Sequence, residues 1–320
     1  MLDQYGRQIN YLRLSVTDRC NLRCRYCMPE EGVPLTEHSR LLRYEEMLRL
    51  AEAAVSLGID RFKITGGEPL TRRDCLPFIA ELKRLPGVRQ VTLTTNGLLL
   101  PQALPQLVQA GLDGVNISLD TLDPAQFAAI TRRDYPVEQV LDAIAASAAV
   151  LPTKVNAVLL DETASQLIPL AQLAQKLPVD VRFIEWMPIG QGAVPRHDTQ
   201  TVLERLQAQW PQLTPTSQRR GNGPARYYTA PGFLGCIGLI EAVSHQFCQS
   251  CNRVRVTSTG TLKPCLCYED GVELLPLLRG GASQQELALA MAGAIYNKPQ
   301  AHCFGSGHSA ERRTMSQIGG

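Results

Sequence analysis

From Tyr11 onward, short runs rich in β-branched residues alternate with stretches in which apolar positions recur every three to four residues. The first kind predicts about six strands, at Tyr11-Asp18, Arg61-Thr65, Gln90-Thr95, Gly114-Leu119, Lys154-Leu160 and Asp180-Trp186. The second predicts intervening helices at Tyr44-Leu57, Leu76-Leu85, Leu104-Ala110, Val137-Val150 and Ala164-Leu177. Strand and helix in alternation predict an α/β fold with a parallel sheet and right-handed crossovers, as a barrel or a doubly wound layer. In both, chemistry gathers at the carboxyl ends of the strands. About six repeats rather than eight point to an open, partial barrel.

After Pro188 the pattern changes to a tract rich in Gly, Pro, Gln and Thr, with one amphipathic helix near Thr199-Trp210. The expected division is residues 1–218, with a linker at about 191–218, and residues 219–320. The second region opens with short strands, carries a second cysteine group, and continues through two helical stretches to a polar tail.

Composition narrows the classes. The 320 residues are 44% hydrophobic and 19% charged, as in an ordinary globular protein with a substantial core. No run of about eighteen apolar residues marks a membrane span, and the polar stretch Met1 to Asn10 lacks the apolar core of a signal peptide, so the expectation is a cytoplasmic protein. In a reducing compartment the ten cysteines read as ligands or buried small hydrophobes rather than disulfides. A net charge of +2 from 32 basic and 30 acidic residues, with no single-sign run, predicts neither a nucleic-acid track nor membrane attachment. An anionic partner would be met locally. The groups Arg72-Arg73, Arg132-Arg133, Arg219-Arg220 and Arg312-Arg313 read first as solvated faces, whereas Arg253 and Arg255 stand beside other chemistry.

The predicted strand ends hold the unusual residues. The first runs into Cys20, Cys24 and Cys27, the second into Thr65-Gly66-Gly67-Glu68-Pro69, the third into Thr94-Thr95-Asn96-Gly97, the fourth into Ser118-Leu119-Asp120, and the sixth into Glu185-Trp186-Met187-Pro188. Three thiolates spaced C-x3-C-x2-C suit a four-iron cluster with one iron left open, while structural zinc normally takes four ligands. Further along, Cys248, Cys251 and Cys265 form a second group that, with Cys267, would by spacing serve a zinc ribbon as well as a cluster. Arg253 and Arg255 alternate along a predicted strand and so share a face, an anion fork suited to a triphosphate.

The cysteine triplet followed by GGEP resembles the radical S-adenosylmethionine (SAM) superfamily. In that superfamily SAM chelates the open iron, and its one-electron cleavage gives a 5′-deoxyadenosyl radical. The stretches LRLSVTDRCNLRCRYCMP, LTTNG, NISLD, KVN, RFIEWMP, FCQSCNRVR and the terminal Gly319-Gly320 narrow the likeness to the GTP 3′,8-cyclase family of molybdenum cofactor biosynthesis, over nearly the whole chain. The resemblance implies an incomplete (βα)6 TIM-type barrel with a C-terminal α+β extension that carries a second cluster. It further implies a lyase-class reaction: the ribose 3′ hydrogen of GTP is abstracted and the radical closes on guanine C8, giving 3′,8-cyclo-7,8-dihydro-GTP. Cys20, Cys24 and Cys27 would then hold one [4Fe-4S] cluster, and Cys248, Cys251 and Cys265 another that meets the guanine. SAM contacts would fall on Tyr26, Gly67, Ser118 and Met187. GTP contacts would fall on Arg13, Lys63, Thr94, Lys154, Arg253 and Arg255; at Lys63 the family often has arginine, so a point charge stands where a bidentate contact is usual. Arg253, Arg255, Gly319 and Gly320 would serve catalysis, the glycines by threading the active site. The implied partners are an electron donor, a second copy of the chain in a homodimer, and, downstream, cyclic pyranopterin monophosphate synthase.

Two other readings compete: another radical SAM enzyme with an auxiliary cluster, such as one that modifies a peptide, or a zinc-binding regulatory or nucleic-acid module. Cys267 is expected to be a spectator, and Cys75, Cys236 and Cys303 to be buried small hydrophobes. The histidines His38, His197, His245, His302 and His308 are scattered and receive no role.

Overall fold

The computed structural model describes residues 1–320 except 35, 193–198, 219, 245–246 and 305–309. Arg219, His197, His245 and His308 lie outside the described residues. Strands and helices alternate through the first half: β1 (Tyr11–Ser15), α1 (Tyr44–Ser56), β2 (Arg61–Thr65), α2 (Cys75–Arg84), β3 (Gln90–Thr95), α3 (Leu100–Gln109), β4 (Val115–Ser118), α4 (Pro124–Thr131), α5 (Val137–Ala148), β5 (Thr153–Leu159), α6 (Leu167–Lys176) and β6 (Val179–Glu185). The second half holds α7 (Thr199–Gln209), β7 (Thr214–Pro215), β8 (Arg226–Thr229), β9 (Ile237–Ile240), β10 (Arg253–Val256), β11 (Thr261–Lys263), β12 (Val272–Glu273), α8 (Leu275–Arg279) and α9 (Gln284–Tyr296).

All six expected strands form, within a residue or two except at the end of β1. Helix α4 was not expected from the apolar pattern. It is set by its start: Pro124 occupies the first turn, where its missing N–H costs nothing, and the Asp123 carboxylate accepts from Gln126 N–H.

β1 to β6 lie side by side in chain order, every neighbour parallel. The second half extends this sheet at both edges, with β10 parallel to β1 and β9 parallel to β6. Successive side chains in a strand point to opposite faces. Leu12, Leu14, Phe62, Ile64, Val91, Leu93, Ile117, Val155, Val181 and Phe183 are therefore buried against the helix layer, with Leu50, Phe78, Ile79, Leu82, Leu107, Ile144 and Leu170 in the same core. Each of the larger side chains contributes about 1.5–3 kcal/mol by leaving water. The alternate positions are polar: Arg13, Lys63, Thr94, Asn116, Lys154, Asn156, Asp180 and Arg182. Side chains from β1, β3–β6, β9 and β10 together line one cavity, so the sheet curls around it. That is the partial barrel, with charged side chains of Arg13, Arg253 and Arg255 among its lining.

A second, smaller core joins Ile189, Cys267, Phe304 and Ile318, with Met187, Cys265 and Met315 packed against it. Here the expectation for two cysteines needs correcting: Cys267 is fully buried but Cys303 only partly, and the two are joined as a disulfide, Cα to Cα 6.4 Å. They lie 36 residues apart, so no local spacing announces the pair. Cys75 and Cys236 are free and buried, as expected.

Candidate functional site

The loop after β1 carries Cys20, Cys24 and Cys27, all free and partly buried. It is stitched down on two sides. Arg23 N–H donates to Thr131 O (2.8 Å) and Arg25 N–H to Ile130 O (3.0 Å) at the end of α4, while Gly67 N–H donates to Thr17 O and Glu68 N–H to Arg19 O, each at 2.8 Å. A Cβ on Gly66 would stand 2.6 Å from Thr17 O, and one on Gly67 2.3 Å from Arg19 O. The two glycines are thus required by the approach of this loop to the cysteine loop. The buried Glu68 carboxylate completes the link, accepting from Leu70 N–H, Thr95 Oγ1 and Asn96 N–H; the Asn96 amide in turn donates to Asn21 Oδ1 at 2.7 Å.

Burial, reinforced by neighbouring acidic and cysteine groups, pushes the Cys20 thiol up to about 11 and Cys27 up to about 12, with Cys24 also well above its ordinary value. A cluster fits this donor set: three buried thiols held protonated at one loop gain stability by giving up their protons to metal. Tyr26 donates to Asp120 Oδ2 at 2.8 Å, and burial raises Asp120 to about 6.

β10 runs parallel to β1 with Tyr11 beside Arg253 and Arg13 beside Arg255. Cys251 precedes β10 and Cys265 follows the antiparallel β11, whereas Cys20 to Cys27 follow β1. The two cysteine groups therefore stand at opposite ends of the lumen. Cys248, Cys251 and Cys265 all line the cavity. Burial raises Cys251, but Arg253 and Lys298 outweigh it and bring the thiol down to about 7. Lys298 fixes this end by donating to Arg253 O (2.9 Å) and Pro264 O. Arg253 stacks over Phe247, 4.9 Å from the ring centre.

Between the two ends the lumen is crowded with cations. Burial, with repulsion from Arg182, Arg13, Lys154 and Arg253, holds Lys63 well below its ordinary value. Burial likewise lowers Arg255 and brings Arg13 to about 10. Arginine does not surrender its proton in a protein, so these shifts mark guanidinium groups buried first of all and set beside other cations second, a setting that an anion would relieve. Among the described residues, the Nε donors of Arg13 and Arg182 are buried without an acceptor.

The tail enters this space. Arg255 donates to Ile318 O (3.2 Å) and Gly319 O (3.3 Å), Arg13 to Gly320 O, and Thr65 Oγ1 to Gly319 O (3.4 Å). Ser316 N–H reaches the Cys27 sulfur, so the tail spans from the first cysteine loop to the arginines. Gly319 has φ +74°, and a Cβ there would meet Ser15 Cβ at 2.7 Å. The root of the tail is anchored by a buried ion pair of Lys263 and Glu311; burial pushes Glu311 up, but Arg313 and Lys263 hold it below its ordinary value.

Of the residues expected in the site, Arg13, Tyr26, Thr94, Ser118, Met187, Arg253, Arg255 and Gly320 line the cavity. Gly67, Lys63, Lys154 and Gly319 do not. Gly67 is pressed on the cysteine loop, Gly319 lies in the cradle of Ser15 and Thr65, Lys63 is buried beside Arg13 in register, and Lys154 is tied to Asp180 Oδ2 (2.9 Å), Tyr227 Oη (3.0 Å) and Arg220 O. Sequence reasoning missed Asn156, Arg182, Lys263 and Lys298, and left Asp120, noted at the end of the fourth strand, without a role. A signal existed for Arg182: Asp180 and Arg182 repeat every second residue inside a predicted strand, where apolar residues belong if both faces are covered. For Lys298, nothing local pointed to the site.

Known proteins resemble this chain throughout. Residues 14–174 match the Radical SAM superfamily and residues 179–304 match Molybdenum Cofactor Synthesis C. A GTP 3′,8-cyclase from Heliobacterium modesticaldum is 46% identical over the full length of both chains. One from Moorella thermoacetica is 42% identical, again over both full lengths. Molybdenum cofactor biosynthesis protein 1 of Homo sapiens is 44% identical over 94% of this chain and 48% of its own length. Among solved structures, Streptococcus suis SuiB bound to its precursor peptide SuiA superposes with a TM-score of 0.63 at 15% identity, over 92% of this chain and 66% of that one, a likeness of fold. With a cysteine triplet at one end of a cationic lumen and full-length relatives of this identity, the chain belongs to the GTP 3′,8-cyclase family of radical SAM enzymes.

Proposed function

We propose that this chain cyclises GTP to 3′,8-cyclo-7,8-dihydro-GTP, the first step of molybdenum cofactor biosynthesis. The observation that carries the reading is the cationic lumen, which lies between two cysteine groups and admits the glycine tail. The cysteine loop after β1 holds a [4Fe-4S] cluster with SAM, which together supply the radical that takes the ribose hydrogen. We assign Tyr26, Gly67, Ser118 and Met187 to SAM. Arg13, Lys63, Thr94, Lys154, Arg253 and Arg255 hold the nucleotide, their charge answering the triphosphate. Cys248, Cys251 and Cys265 hold a second cluster facing the guanine, and the low Cys251 value and nearby Lys298 suit a thiolate ligand there.

Fixing the base at one end and the phosphates on the lumen cations turns ring closure into a problem of position, which is where enzymes gain most. Arg255 and Arg13, holding Gly319 and Gly320 by their carbonyls, place the tail against the nucleotide and keep water from the reacting sugar. In this reading residues 1–218 generate the radical and hold part of the nucleotide, and residues 219–320 add the second cluster, the arginine pair and the tail. The protein works in the cytoplasm as a homodimer, draws on an external electron donor, and passes its product to cyclic pyranopterin monophosphate synthase.

The test is anaerobic incubation with GTP, SAM and a reductant. Formation of 5′-deoxyadenosine together with the cyclic nucleotide is expected; 5′-deoxyadenosine with a peptide but not with GTP would replace this reading by a peptide-modifying one. Iron and sulfide analysis addresses the second centre, where zinc without sulfide would overturn the cluster.

A further inference from the structure

Below the lumen, at the amino ends of the strands, a short stretch of chain crosses the open mouth. Arg220 is docked on Asp180 Oδ1 through Nε (3.1 Å) and Nη2 (2.6 Å). Its carbonyl accepts from Lys154, and a Cβ on Gly221 would stand 3.4 Å from the Lys154 ammonium. Two residues on, the Asn222 amide donates to the Gln90 side chain at the start of β3. Residues 220–222 thus run from β6 past β5 to β3 and close the mouth like a strap. Outside lies a separate cleft to which Arg220 and Arg253 contribute, and Arg253 lines the lumen as well.

Asp180 is the feature that needs explaining. It is a buried carboxylate at the amino ends of the strands, just outside the lumen lining, and it holds two cations at once, Lys154 on Oδ2 and Arg220 on Oδ1, with Cys236 N–H as a third donor. One carboxylate shared by two cations leaves a net positive pair with fixed directions. The Arg220 guanidinium is engaged on its Nε–Nη2 edge, so its Nη1 group, now near Gln218 Oε1 at 3.2 Å, remains to be recruited. A planar fork positioned in this way suits a phosphate oxygen better than a freely rotating surface arginine would.

We infer that Arg220, held by Asp180, forms the floor of the substrate site and contacts the distal phosphate of the bound nucleotide, which makes it a determinant of triphosphate over diphosphate. Asp180 is a positioning residue that aims both Lys154 and Arg220. The inference rests on the lumen being the nucleotide site, as proposed above.

Binding of GTP and GDP to the iron-loaded protein, measured anaerobically for wild type, Arg220→Ala, Arg220→Lys and Asp180→Asn, tests it. Arg220→Ala is expected to weaken GTP about tenfold or more and GDP less than about threefold, since one charge-assisted contact to the last phosphate is lost. In turnover, KM for GTP rises by more than kcat falls. Arg220→Lys recovers part of the GTP preference, and Asp180→Asn reduces it by loosening the aim. Equal weakening of GTP and GDP, or no change in their ratio, overturns the inference. Should Arg220→Ala fail to load iron, the same ratio for Arg220→Lys decides: an unchanged preference overturns, a reduced one supports. Wild-type protein that neither binds nor cyclises GTP would instead overturn the functional reading, so the two failures are distinguishable.

Discussion

Cys27, in the loop after β1, and Cys251, before β10, stand at opposite ends of the sheet in opposite electrostatic settings. At the β1 end, burial and the nearby Glu68 and Asp120 keep the thiols protonated, up to about 11 at Cys20 and about 12 at Cys27. At the β10 end, Arg253 and Lys298 draw Cys251 down to about 7. The first end is a dry, acid-flanked pocket that metal must enter by displacing protons; the second is a basic pocket ready for anions. A radical source gains from the first setting and an anionic substrate from the second.

The sharpest way to separate the ends is to remove one ligand from each. Cys24→Ala is expected to lose about half of the iron and all 5′-deoxyadenosine formation, while Cys251→Ala loses about half of the iron and the cyclic product but still cleaves SAM. Identical phenotypes would erase the distinction. Next in size is the tail: deleting Gly319 and Gly320 should abolish cyclisation with iron content unchanged, and Gly319→Ala should cost at least about tenfold, because its φ of +74° and its contact with Ser15 both reject a side chain. Full activity in the truncated protein would sink the claim.

The acidic flank can be read through stability. Burial raises Glu68 from 4.5 to about 7. A group raised in the folded state lends stability below its unfolded value, and that stability is lost as pH rises through the folded value. Wild type should therefore lose on the order of 3 kcal/mol between about pH 4.5 and pH 7 relative to Glu68→Gln, seen as a shift in denaturant midpoint. The smallest effect tests the basic flank: Lys298→Met should raise the pH at which iron loads the second site by about one unit, because Cys251 loses a cation that favours its thiolate. An unmoved loading profile would assign the low value to Arg253 alone.

The contrast explains what could be read from residues in line. The strands, the cysteine triplet and the Gly66-Gly67 turn were legible because each is local: periodicity gives the strands, and spacing gives the ligands. Arg253 and Arg255 were legible because alternation along one strand fixes their face. The Asp180–Arg220 pair, Lys298 and the Cys267–Cys303 bond were not, since each joins segments brought together only by the curl of the sheet. The tail is intermediate. Its glycines are conspicuous, but the Lys263–Glu311 pair that roots it, 48 residues apart, is not.

The pairing of β1 with β10 has a consequence for biosynthesis. Tyr11 aligns with Arg253, so the edge of the first strand stays open until nearly the whole chain has left the ribosome. Such an exposed edge invites mispairing, and contacts of this span are slow to form. The strand that bears the first cysteine loop therefore gains its β10 neighbour only once residue 256 has been made, which ties the maturation of that loop to a late stage of synthesis.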